Sequence, residues 1–313
     1  MKIGVLAGGV GGAKLALGLY RTMDPVDLTI IANTGDDIVM HGLHISPDPD
    51  ILMYTLADRV NPETGWGQRE ESFRVAEGLK AYGRAVWFNL GDRDLATHIH
   101  RTAMMKDGAT LSQAIDSIRQ ALGVTARILP MSDTYVPTML DTDEGRMHLQ
   151  DYFVRRRCEP KLRGIDFEGV AAAAPAPGVV EAIAQADGIL IAPSNPLISI
   201  GPILAVPGIR EALRGRREQI VAVCPLVGGK SLKGPSDKML AELGYEVSAP
   251  GVAKLYRDFC ATMVVDDSDS TAKPAIEVLG VKAVVCPTIM RDLADKERLA
   301  REVLRVLHSG TRP

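Results

Sequence analysis

Short, continuous apolar runs punctuate the chain, and each breaks off at Asp, Asn, Pro or Gly. They are IGVLAG (Ile3–Gly8), LTIIANTG (Leu28–Gly35), AVWFNLGD (Ala85–Asp92), GILIAPSN (Gly188–Asn195), QIVAVCPLVGG (Gln219–Gly229), ATMVVDD (Ala261–Asp267) and KAVVCPT (Lys282–Thr288). Runs of this length predict strands. Continuous rather than alternating hydrophobicity predicts that both faces are covered, and hence a buried parallel sheet. A helix-like stretch, Ala13–Thr22, separates the first two runs and gives the chain a βαβ opening.

Between Asp50 and about Arg127 the apolar spacing turns helical, in DILMYTLADRV, REESFRVAEGLKAYG, ATHIHRTAMMKDG and TLSQAIDSIRQALG, the last opened by a Thr110 cap. Arg146–Val154 and the basic residues after it read as strands at a sheet edge, and AAAAPAPG (Ala171–Gly178) as a flexible joint. Asp292–Leu307 sets Leu293, Ala300, Val303, Leu304 and Leu307 on one face of a surface helix. The expected fold is α/β: one Rossmann-like domain over residues 1–313, with a mostly parallel sheet, helices on both faces, and a mainly helical insertion at about 50–127.

Composition narrows the function. The 313 residues are 46% apolar and carry a formal charge of −3, so no global field draws in nucleic acid or an anionic membrane, and any polyanion site is local. Cys158, Cys224, Cys260 and Cys286 form no C-x-x-C pair and read as buried or incidental thiols. The amino terminus is itself a strand candidate, and no apolar run reaches the ~18 residues of a membrane span, so a cytoplasmic protein is expected.

The polar strand exits are where an open α/β sheet places its ligand. LAGGVGGAK puts Gly8, Gly9, Gly11 and Gly12 between the first strand and first helix, followed by Lys14. Such a turn lets backbone N–H groups and the positive end of a helix approach a phosphate. It is neither a dinucleotide fingerprint, because Lys14 stands where the third glycine belongs, nor a P-loop. It fits a nucleotidyltransferase-like turn better. VGGKS (Val227–Ser231) is a broken P-loop whose first glycine falls at Cys224, leaving Lys230 or Lys233 as anion contacts.

NTGDD and SPDPD bring Asp36, Asp37, Asp48 and Asp50 near the glycine turn, with Asp48 also readable as a helix cap. Carboxylates gathered beside a phosphate repel it unless a divalent cation intervenes, which implies Mg²⁺. NLGDRDLATHIHR supplies Asn89, Asp92, Arg93, Asp94 and His98 at another exit. LPMSD offers Ser132 and Asp133, and PSNPLISIGPIL offers Ser194, Asn195, Ser199 and Gly201 for a base or a phosphate.

GGVGGAK, NTGDD, SPDPDILMYTL, WFNLGDRDLATHI, LPMSD, HLQDYF, APSNPLISIGPIL and PGVAKLY stand in an order that resembles the 2-phospho-L-lactate transferase family of coenzyme F420 biosynthesis, from residue 3 to about 260. The resemblance implies a phosphorus-group transferase. Its donor is a GDP-linked three-carbon acid (2-phospholactate or phosphoenolpyruvate), its acceptor is the ribityl hydroxyl of the deazaflavin Fo, and its products are F420-0 or the dehydro form plus GMP. Carried onto this sequence, Fo contacts fall on Asp50 and Asn89, although a basic residue is common at the latter position. Nucleotide contacts fall on Gly9, Gly11, Gly12, Lys14, Ser194, Asn195, Ser199 and Gly201, with Ser132, Asp133 and His148 as further candidates. Mg²⁺ would be held by Asp36, Asp37 or Asp50, with Asp50 also orienting or deprotonating the acceptor. The family suggests a homodimer. Two other readings stay open: a nucleotidyltransferase making a GDP-linked acid from GTP, and a nucleotide-binding regulator without turnover.

Overall fold

A computed structural model describes residues 1–310. β1 (Ile3–Ala7) hands over to α1 (Gly9–Thr22), which returns to β2 (Leu28–Ala32). A hairpin, β3 (Ile38–Met40) and β4 (Leu43–Ile45), precedes α2 (Pro47–Leu56), α3 (Arg74–Ala81), α4 (Asp92–Lys106) and α5 (Leu111–Ala121). Next come β5 (Arg127–Pro130), β6 (Thr138–Thr142), β7 (Gly145–His148), β8 (Leu162–Phe167), α6 (Val179–Gln185), β9 (Gly188–Ile191), α7 (Ile200–Ala205) and α8 (Ile209–Arg214). The chain closes with β10 (Ile220–Val223), β11 (Leu226–Val227), β12 (Lys230–Ser231), α9 (Ser236–Glu242), α10 (Ala249–Tyr256), β13 (Thr262–Val265), α11 (Lys273–Val278), β14 (Lys282–Val285) and α12 (Leu293–Gly310).

Seven strands form one sheet in the order β14-β13-β10-β9-β1-β2-β5, every pairing parallel. The expected Rossmann-like α/β fold is therefore present. All five residues of β1 are buried. Ile3, Val5 and Ala7 join the core under α1, α2, α5 and α12, while Leu6 joins the core under α6 to α11. Two-sided burial explains the unbroken apolar run. From β1 the chain steps outward to β2 and β5, and β9, β10, β13 and β14 then step outward the other way. The topological switch point lies between β1 and β9, the location of ligand clefts in such sheets.

Four local expectations need correction. Ala85–Asp92 is not a strand: β2's outer side is already taken by β5, and the run stays half-buried, with Trp87 edge-on to Phe88. Arg146–Val154 is only partly extended. β7 pairs antiparallel with β6 in a separate three-stranded sheet, and Asp151–Arg155 then forms a π-helical turn. α1 begins at Gly9 rather than Ala13, so Gly11 and Gly12 lie in its first turn. The capping box predicted at Thr110 is present, completed by Gln113. In α12 the buried stripe is Leu299, Ala300, Val303, Val306 and Leu307, whereas Leu293 is exposed.

No described helix is long and apolar enough to cross a membrane. The four cysteines are free; burial pushes the Cys224 and Cys260 thiols up to about 12, which makes them inert.

Candidate functional site

The switch point is tied together by side chains. Ser194, just past β9, donates its hydroxyl to Gly8 O at 2.8 Å and accepts from Gly8 N at 3.2 Å. Gly9 has a left-handed φ of 63°, and a Cβ there would meet open space. Its amide donates to Asp48 Oδ1 at 2.8 Å, so a carboxylate stands at the N-terminus of α1, where such a turn favours an anion. Gly11 answers to a different constraint: a Cβ would come within 2.3 Å of Pro193 O, so this glycine seats α1 on the loop after β9.

The acidic residues separate into distinct groups. Asn33 is their hub, donating from Nδ2 to Asp36 Oδ1 at 2.7 Å, Asp48 Oδ2 at 2.9 Å and Ile198 O at 3.2 Å, while its Oδ1 accepts from Gly35 N at 2.8 Å. Burial pushes Asp48 up to about 6. Burial, and then the Asp48 charge, pushes Asp36 well above the carboxylate range. Asp37 instead pairs with His44 Nε2 at 2.8 Å and accepts from Ser46 Oγ at 2.7 Å. Asp50 is gripped by both terminal nitrogens of Arg101, a fully buried arginine on α4 that also donates to His44 O at 3.3 Å. His98 lies beside them, its pKa pushed down to about 4 by burial.

Among the described residues no three His, Cys, Asp or Glu side chains are grouped to hold a metal ion. Asp36, Asp37 and Asp50 thus occur as three differently partnered carboxylates, and the close carboxylate pair is Asp36 with Asp48.

Lys14 donates to Met290 O at 2.8 Å; burial, then Lys233 and Lys296, lowers its pKa. Lys233 donates to Thr64 O at 3.2 Å, in a loop whose Gly65 lies close to Val10. A cationic cluster therefore flanks the first turn of α1. The Asn61–Gln68 loop walls a cavity of about 450 Å³, bordered also by Phe73, Asn89 and Asp94.

Several sequence candidates are committed to structure. Asn195 Oδ1 accepts from Leu197 N and Ile198 N, and Ser132 Oγ donates to Ala174 O. Asp133 accepts from Ser112 at the start of α5, and His148 Nε2 meets Asp37 O. Ser199 is buried near Gly8, while Gly201 faces a second, apolar cavity with Phe167. Arg101 and Asn33 were missed by the sequence reading. The only signal was that Arg101 shares a helical face with Leu95, His98 and Thr102.

The topological switch point, its glycine turn and the buried carboxylates define a Rossmann-like α/β protein with a cluster of polar side chains at the carboxyl ends of its central strands. The family model described as 2-phospho-L-lactate transferase CofD matches residues 3–302, and the chain belongs to that family. It is 43% identical over 310 residues to a phosphoenolpyruvate transferase of Streptomyces coelicolor, with 97% of each chain covered. It is 39% identical over 301 residues to a 2-phospho-L-lactate transferase of Methanosarcina mazei, covering 96% of this chain and 99% of that one. A crystal structure of a UPF0052 family member from Bacillus halodurans matches with a TM-score of 0.65 at 17% identity, covering 97% of this chain and 98% of that one, a likeness of fold.

Proposed function

We propose that this chain transfers a phospholactyl or phosphoenolpyruvyl group from a GDP-linked three-carbon acid to the ribityl hydroxyl of Fo, releasing GMP and forming F420-0 or its dehydro form. Family membership supports the transferase class, and the names of the relatives support the two candidate acids. The observation that carries the reading is one loop that adjoins both the first turn of α1 and a cavity. Gly65 lies close to both Val10 in the first turn of α1 and the Lys233 ammonium, while Thr64 and Trp66 of the same loop line the 450 Å³ cavity.

The donor diphosphate belongs at the Gly9 turn, within reach of the Lys14 and Lys233 cations, with the guanosine toward the loop that carries Ser194, Asn195, Ser199 and Gly201. Phosphoryl transfer is chiefly positioning and charge neutralisation, so this division of labour needs no protein nucleophile. The planar acceptor suits the cavity, where Trp66 and Phe73 offer aromatic surface and Asn89 a polar edge.

Mg²⁺ fits the pair Asp36 and Asp48, two neighbouring carboxylates that burial makes costly to ionise together; Asp37 and Asp50 already have basic partners. A bound Mg²⁺ would neutralise charge on the diphosphate.

Incubation with Fo and each GDP-linked acid, read by mass spectrometry, tests the proposal. The expected outcome is Fo-dependent GMP release with a product heavier than Fo by the phospho-acid. Pyrophosphate release from GTP, with no modification of Fo, would instead establish the nucleotidyltransferase alternative.

A further inference from the structure

Six carboxylates surround the cavity and the helix beginning beside it; Glu63 and Glu70 are exposed at its rim, and three of the others are committed. Glu71 accepts from Asp94 N and Arg93 N, both at 2.9 Å, and so caps α4. Asp92 returns the favour to α3, accepting from Ser72 Oγ at 2.6 Å and from Arg74 N and Val75 N at 3.2 Å each. Asp50 is held by Arg101 and is 4% exposed. Asp94 lines the cavity beside Asn89, and its buried Oδ1 has no hydrogen-bond partner. A buried, unpaired acceptor oxygen is costly to keep, so its presence in a cavity wall points to a ligand donor.

We propose that Asp94 is the general base that accepts the proton of the acceptor hydroxyl. The proposal rests on the reading that Fo occupies this cavity. In the step, the hydroxyl O–H bond breaks and its oxygen bonds to the phosphorus bearing the acid. The proton passes to Asp94 Oδ1, and the P–O bond to GMP breaks, its electron pair leaving with GMP.

The surroundings suit this task. Burial, then the Asp50 charge, pushes Asp94 up to about 7, with Glu71 adding to the rise and the Tyr54 hydroxyl and Arg101 charge opposing it. A base is most effective when its pKa lies near the working pH. Two nearby carboxylates with different environments divide the work: Asp50 stays fixed on its arginine, and Asp94 is free to gain and lose a proton.

The test compares wild type, Asp94→Asn and Asp94→Ala, each checked for folding by thermal melting, in GMP release with Fo. Fo affinity is read by fluorescence titration. Asp94→Asn should lose kcat by at least about 100-fold while Kd for Fo stays within about threefold, and added formate should restore turnover to Asp94→Ala. The assignment is overturned if Asp94→Asn keeps more than a tenth of wild-type kcat, if Fo affinity falls as steeply as kcat, or if formate restores nothing. Wild type releasing no GMP with Fo would remove the underlying acceptor reading; wild type and Asp94→Asn turning over alike would remove only the base.

Discussion

Arg101 is the side chain on which the candidate site most visibly depends. It is fully buried, it clamps Asp50 across two helices, and its Nε has no partner. Removing one member of such a pair strands the other charge away from water. Asp50→Asn and Arg101→Met should each cost about 3–5 kcal/mol in urea unfolding, and the double variant should lose less than their sum by more than about 1 kcal/mol. Strict additivity would show that the two groups are energetically independent. Loss of turnover in Asp50→Asn must accordingly be read beside its stability. The sequence displayed Asp50 as a carboxylate near a helix start, but not its partner, because an arginine within THIHRTAMMK looks like any solvated helix charge.

At the level of elements, the glycine turn has two roles that the one-dimensional pattern merged. Gly9 turns the chain beside open space, whereas Gly11 lets α1 settle against the Pro193 carbonyl. A methyl group at Gly11 would press on backbone, which cannot swing aside, so Gly11→Ala should destabilise the fold by about 3 kcal/mol, read as a lowered urea midpoint. An unchanged midpoint would return Gly11 to the role of a ligand-facing residue. The same distinction explains which elements were legible. The six sheet strands other than β5 carried continuous apolar signals that sheet burial demanded. The run Ala85–Asp92 carried an equal signal for a different reason, since Leu90 and its neighbours pack in a small satellite cluster with Ile45 and Leu95. Hydrophobicity records burial without recording what does the burying.

For the whole molecule, the acidic pair makes stability depend on pH in an unusual direction. Asp48 titrates at about 6 and Asp36 is also raised, so the native state holds protons that the unfolded chain has released. The pair's contribution is therefore most favourable below the ordinary carboxylate pKa and is lost as pH rises through about 6. Asp94, raised to about 7, acts in the same sense, and His98, lowered to about 4, in the opposite one; both remain in an Asp48→Asn variant and cancel in the comparison. Relative to wild type, that variant should gain on the order of 2 kcal/mol between pH 4.5 and 7.5. Millimolar Mg²⁺ at pH 7.5 should raise the Tm of wild type and not of the variant. A difference that stays flat with pH, or equal Mg²⁺ effects on both proteins, would remove the acidic pair from this role. The sequence by itself determined the parallel sheet and the family, because burial periodicity and motif order are properties of a line of residues. Only the tertiary structure decided which carboxylates are neighbours and which stay unpaired. Those facts depend on contacts such as Asp50 with Arg101, 51 residues apart, and Gly8 with Ser194, 186 apart, and electrostatic energy follows distance in space rather than along the chain.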